Sequence, residues 1–151
     1  MPKAKIYLDT TVPSAYLDAR APERQDMTKE FWTKVLPDFE AHISGVVLDE
    51  IRATPDDATR KNMEALVKNF RVLALTREAD ELAQEYMRTK VFPTKYATDA
   101  NHVAIAVSSG IGYLISWNYR HLVKVSTRHK VNSVNAMKGF STIEIITPPE
   151  L

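Results

Sequence analysis

The chain has 151 residues, of which 44% are hydrophobic and 26% charged, with only four glycines. A chain of this length buries roughly 70% of the surface it exposes when unfolded, which suits one domain spanning 1–151 and excludes a disordered or low-complexity protein. Cysteine is absent and the net charge is +1, which excludes a disulfide framework, a thiolate metal site and a thiol nucleophile, so any metal must be held by oxygen or nitrogen.

The start, MPKAKIYLDTT, lacks the apolar stretch of a signal peptide, and the most apolar later run is broken by Ser108, Ser109, Gly110 and Gly112; a cytoplasmic protein is expected. AKIYLD reads as a first strand that ends at Asp9, followed by a polar turn, TTVPS, leading into a helix. A charged stretch from about Glu23 to Phe39 reads as a helix with Phe31, Val35 and Leu36 inward, broken by Pro37 before the short strand AHIS. Glu50 follows on the helical segment GVVLDEIRA. Thr54 and Pro55 predict a helix start, with Pro at the first helical position, and that helix runs to about Asn69 before the strand RVLAL. Thr76 is the expected cap of READELAQEYMRTK. Thr98 is the expected cap of a helix opened by Asp99, in which Ala100, Val103, Ala104 and Val107 form a buried stripe and Gly110 marks the end. YLIS is a strand, NYRHL a turn into a short helix, RHKVNSVNAMKG a further helix and TIEII a last strand. Strands alternating with helices in this way predict a three-layer α/β/α fold around a central parallel sheet.

In such sheets ligands bind at the carboxyl ends of the strands, where helix N-termini converge. Asp9 and Asn118 fall just past strand ends, Glu50 in the first turns after a strand and Asp99 at a helix start. Each has a plain explanation alone: Asp99 gains roughly 0.3–1 kcal/mol from the helix dipole, Asp9 suits a turn, and Glu50 suits an exposed charged face. Jointly, three carboxylates at corresponding ends of three elements would repel one another, and a hard divalent cation such as Mg²⁺ or Mn²⁺ is the usual remedy. His102 is expected on the helix surface, His121 as a polar contact beside the site and Trp117 in the core, with Trp117 or Tyr119 able to stack on a base. No P-loop, HExxH pair or GxSxG elbow occurs, and a haloacid-dehalogenase-type pair would need an acid where Thr11 stands. The segment 100–143 contains no Asp or Glu but carries Arg120, Lys124, Arg128, Lys130 and Lys138; this clustering points toward a polyanion-binding surface.

The segments IYLDTTVPSAYLD, ISGVVLDEI and ATDANHVAIAVSSGIGYLISWNYRHL, with the closing IEIITPPEL, together resemble the PIN-domain ribonucleases, the fold of many VapC-type toxins. The resemblance implies metal-dependent hydrolysis of RNA phosphodiesters, with Asp9, Glu50 and Asp99 as ligands of Mg²⁺ or Mn²⁺ and Asn118 orienting a water or phosphate. Many members carry Asp at that fourth position, and SWNYRH is similar to a subgroup with a Trp-Asn-x-x-His segment. Thr10, Thr11 and Ser116 would supply nearby hydroxyls, and Arg120, Lys124, Arg128 and Lys130 would track the RNA backbone. A homodimer and a small antitoxin protein as partner are also implied. The alternative is a PIN-like module that binds RNA or protein without cleaving.

Overall fold

A computed structural model of the chain describes residues 2–151. Five parallel strands, β1 (Ala4–Leu8), β2 (Phe39–Ser44), β3 (Arg71–Leu73), β4 (Tyr113–Ile115) and β5 (Glu144–Ile146), form one sheet in the order β3-β2-β1-β4-β5. In the central strand Ile6, Tyr7 and Leu8 are all fully buried, as expected of a parallel strand covered on both faces rather than one with alternating exposure. Its register sets Tyr7 against His42 of β2 and Leu8 against Ile115 of β4.

Seven α-helices make the connections: α1 (Thr11–Leu17), α2 (Pro22–Glu30), α3 (Gly45–Arg52), α4 (Asp57–Val67), α5 (Arg77–Arg88), α6 (Ala97–Ser108) and α7 (Val125–Met137). Right-handed crossovers place α1 to α4 on one face and α5 to α7 on the other. The packed pairs agree, with α1 against α2 and α4, and α5 against α6 and α7. The three-layer arrangement expected from the alternation of elements is therefore the observed one. Among the described residues no helix is long and apolar enough to cross a membrane.

Several boundaries differ from the sequence reading. The helix expected from Glu23 to Phe39 ends as α2 at Glu30 and continues as a π-helical turn, Phe31–Val35, and a 3₁₀ turn, Leu36–Asp38. Pro37 lacks the N–H and crowds the carbonyl four residues back, so regular α-geometry is lost before it. Phe31 and Leu36 are still buried. α4 begins after Asp56, whose carboxylate accepts from the Thr59 N–H at 2.9 Å, and not at Thr54–Pro55; the closer competitor for the cap wins because Asp56 can reach N3. α6 begins at Ala97, out of a 3₁₀ turn at Thr94–Tyr96, with no side-chain cap, so Thr98 is already helical and Asp99 lies in the first turn. NYRHL forms turns only, and the next helix opens at Val125. Thr76 does cap α5, accepting from the Ala79 N–H at 3.1 Å. Gly110 ends α6 with φ of +73°, a left-handed residue that lets its own N–H reach Val107 O and the Ile111 N–H reach Ala106 O, both at 3.0 Å.

α6 is more deeply set than an amphipathic stripe requires. Ala100 and every residue from His102 to Val107 are buried, the pattern of a helix surrounded by protein on all sides. His102, expected at the surface, is only 2% exposed.

Candidate active site

β1 leads out toward β2 on one side, while its other neighbour, β4, is entered from β3 across the sheet. The two directions part between β1 and β4, and the crevice at such a switch point is where open α/β sheets bind ligands. Asp9 follows β1 directly and Ser116 follows β4 directly, held in line by Asp9 N–H to Ile115 O at 3.2 Å and Ser116 N–H to Ile146 O at 2.9 Å. α3 starts at once after β2, capped by Ser44 Oγ accepting from the Val46 N–H at 3.2 Å, which delivers Glu50 in its second turn. Asp99 arrives from the first turn of α6 on the other face of the sheet.

Asp9 is 3% exposed and is anchored on both carboxylate oxygens. Oδ1 accepts from the Thr11 N–H at 3.1 Å and from the Thr11 hydroxyl, and Oδ2 accepts from the Ser116 hydroxyl at 2.6 Å. Those hydroxyls in turn accept from the loop after β4: the Trp117 N–H reaches Thr11 Oγ1 and the Asn118 N–H reaches Ser116 Oγ, each at 2.9 Å. Two relays therefore tie the loop to one carboxylate.

Glu50 is held by a longer chain of groups. Its Oε1 accepts from Thr10 Oγ1 and from His102 Nε2, both at 2.8 Å. An ionised carboxylate only accepts, so Nε2 carries a proton, and in the neutral ring Nδ1 is then the acceptor. The Tyr7 hydroxyl donates to Nδ1 at 2.6 Å, and Ser44 Oγ lies 2.7 Å from the same phenol. Burial holds the Tyr7 phenol protonated, far above its ordinary value, with the charges of Asp9 and Glu50 acting in the same direction. This buried relay from Ser44 through Tyr7 and His102 to Glu50 joins α3, β1 and α6. Tyr7→Phe should cost about 1–3 kcal/mol, because the Ser44 hydroxyl and His102 Nδ1 each lose one hydrogen bond in a buried place. Urea unfolding measures it, and an unchanged midpoint and slope would show the relay to be energetically idle.

Asp99 feels the charges of the other two carboxylates. Burial raises the Asp99 pKa above the usual carboxylate range, Asp9 and Glu50 push it further up, and His102 and His121 oppose them. Asp9 is likewise raised, by burial first, against the pull of His102 and its three hydrogen bonds. Burial disfavours the charge of Glu50 too, but the hydrogen bonds from His102 and the Thr10 hydroxyl outweigh it, and its pKa falls below the usual value. Among the described residues no three His, Asp or Glu side chains stand close enough together to hold an ion as they are. The donor chemistry nevertheless fits a hard divalent cation, since all three groups offer carboxylate oxygen and the chain has no thiolate.

The remaining expected site residues divide. Asn118 Oδ1 accepts from the His121 N–H at 3.0 Å and the Asn118 carbonyl accepts from Leu122 and Val123, so this side chain shapes the loop and leaves its Nδ2 free of that duty. Arg120, His121 and Lys124 line a groove of about 440 Å³ together with Phe92 and Tyr96, and the His121 ring stacks on Tyr96 with centroids 3.8 Å apart. Arg128 does not join them: its Nη1 donates to Ile145 O at 3.0 Å, which pins α7 to β5. Lys130 is exposed on α7 and outside that groove. Trp117 is buried as expected, its Nε1–H donating to Thr28 Oγ1 at 2.9 Å.

A parallel α/β/α sheet with the buried Asp9 at the β1/β4 switch point has the architecture of a PIN-like domain. A profile of the PIN domain family matches residues 6–126, and the chain belongs to that family. No curated protein matches the sequence. Among solved structures it is similar to VapC20 of Mycobacterium tuberculosis, described as a toxin cleaving the sarcin–ricin loop, at 20% identity and a TM-score of 0.59, over 77% of this chain and 92% of that one. VapBC2 of Rickettsia felis, bound to a DNA fragment from its promoter, matches at 10% identity and a TM-score of 0.57, over 95% of this chain and 98% of that one. VapBC-1 of nontypeable Haemophilus influenzae matches at 16% identity and a TM-score of 0.56, over 78% and 89%. At these identities the likeness is one of fold.

Proposed function

We propose that the protein is a divalent-cation-dependent endoribonuclease, the toxin of a toxin–antitoxin pair, working in the cytoplasm as a homodimer. Two observations support this reading: the chain belongs to the PIN domain family, and Asp99 on α6 feels the charges of Asp9 after β1 and of Glu50 on α3. These three would hold Mg²⁺ or Mn²⁺. When bound, the cation supplies an activated water and stabilises charge on the phosphate oxygens.

The chain's own residues orient what the cation needs. Thr11 and Ser116 fix the Asp9 carboxylate, while Thr10 and His102 fix Glu50 and keep it ionised. Asn118 Nδ2, not used by the loop, would donate to a phosphate or a water. Arg120 and Lys124, exposed in their groove beside the site, would attract the RNA backbone. The sarcin–ricin-loop-cleaving toxin among the structural neighbours favours RNA presented in a loop, and the two VapBC structures favour an antitoxin partner.

Purified protein should cleave labelled RNA in Mg²⁺ or Mn²⁺ and stop when EDTA is added. Full cleavage in excess EDTA would overturn the metal-dependent reading. RNA binding with no cleavage in either cation would leave a binding module instead.

A further inference from the structure

Asn118 stands between two aromatic residues in very different settings. Trp117 is 6% exposed, with the Arg24 guanidinium 5.3 Å from its ring centroid. Tyr119 is 52% exposed, its N–H donating to Trp117 O at 2.9 Å in a tight turn that carries its ring out of the core. Both face an open recess of about 440 Å³ whose opposite wall is the start of α2, including Pro22, Arg24 and Met27. Met27 is itself 37% exposed.

One wall of the recess is tied to the candidate site through the backbone of Trp117. The Trp117 N–H reaches Thr11 Oγ1, which donates to Asp9, so one wall is hydrogen-bonded to the carboxylate network. The same loop presents Arg120, His121 and Lys124 to a different, cationic groove. One loop thus separates a surface suited to phosphates from a surface suited to a flat apolar ring.

We infer that the recess is a nucleobase subsite, which takes one unpaired base of the RNA strand flanking the bond to be cut. The base stacks on Tyr119 and packs against Met27, and Arg24 donates to an acceptor on the base edge or to its phosphate. Stacking on an exposed aromatic is available to any base, but only to one already out of a helix, since a paired base is stacked on its neighbours. The recess therefore makes the enzyme select single-stranded or looped RNA. This inference rests on the ribonuclease reading for the identity of the ligand, although base binding is measured without cleavage.

The test is fluorescence anisotropy in EDTA, with a labelled single-stranded RNA oligomer and an abasic oligomer of the same length and charge. Wild type should bind the base-containing strand roughly tenfold more tightly. Tyr119→Ala should remove most of that preference and Tyr119→Phe should keep it, while both leave the salt dependence unchanged because no phosphate contact is lost. Arg120→Glu with Lys124→Glu should do the reverse, reducing the salt slope by about 0.7 per lost contact and sparing the preference for bases. Equal binding of the two strands by wild type, or a Tyr119→Ala protein that still prefers bases tenfold, overturns the subsite. Loss of cation-dependent cleavage in an otherwise unchanged wild-type binding pattern would instead overturn the nuclease reading and leave the subsite standing.

Discussion

Asp99→Asn should lower RNA cleavage by about a hundredfold or more and, in EDTA at neutral pH, raise the unfolding midpoint. The first effect follows from removing one of the proposed oxygen ligands: charge stabilisation by a bound cation amounts to several kcal/mol at the transition state, and each 1.4 kcal/mol or so is tenfold in rate. The second follows from the environment. Burial raises the Asp99 pKa, and the charges of Asp9 and Glu50 add to it, so folding at neutral pH traps a carboxylate in a place that disfavours its ionised form. An amide of the same shape carries no charge to trap. The opposite pairing, full activity with lower stability, is the signature of an acid that only complements the dipole of α6. Initial rates in Mn²⁺ and thermal melts in EDTA on the same preparation read both effects.

The positions of the carboxylates were legible because each is announced by local grammar. AKIYLD ends its apolar run at Asp9, Ser44 caps a helix that starts directly after β2, and Asp99 is the last acid before a long acid-free segment. Alternation of strand and helix then leaves only a parallel sheet, and its topology puts Asp9 directly after β1, Glu50 on the helix after β2 and Asp99 in the first turn of α6. What escaped the reading are contacts with no local signature. Tyr7 and His102 are 95 residues apart and His102 and Glu50 are 52 apart, so nothing in either neighbourhood reports the relay. One signal was present: α6 carries no charged residue after Asp99, and a helix apolar on every side must be buried, together with any histidine it contains. Spacing agrees, since His102 lies one turn beyond Asp99 on the same face. Arg128 escaped for a different reason. Charge clustering in sequence says nothing of which guanidinium is already committed to a backbone carbonyl, and here Ile145 O takes it.

Asp9→Asn should invert its effect on stability with the metal content of the solution. In EDTA the variant should melt higher than wild type, because burial, above all, holds the Asp9 pKa above its ordinary 3.8. The sign fixes the pH dependence: a carboxylate whose folded pKa is raised contributes its full stability below the unfolded value and loses it as pH rises through the folded one. The gap between variant and wild type should therefore close below pH 3.8, where Asp9 is protonated in both states, and open as pH climbs. Asparagine also gives up one acceptor toward Thr11 or Ser116, which costs about 1 kcal/mol and makes the gain smaller than relief of the charge alone. In saturating Mn²⁺ the order should reverse. A cation that binds only the folded state adds RT ln(1 + [L]/Kd), about 2.7 kcal/mol at a hundredfold excess over Kd, or roughly 5–10 °C in a chain of this size, and the variant should forfeit most of it. An Asp9 that merely forms a turn predicts a small loss on substitution, the same in EDTA and in Mn²⁺ and without the acid-side convergence. Melts of both proteins in EDTA from about pH 3 to 8 and in Mn²⁺ at neutral pH separate the two, and a loss indifferent to metal would remove Asp9 from the ligand set.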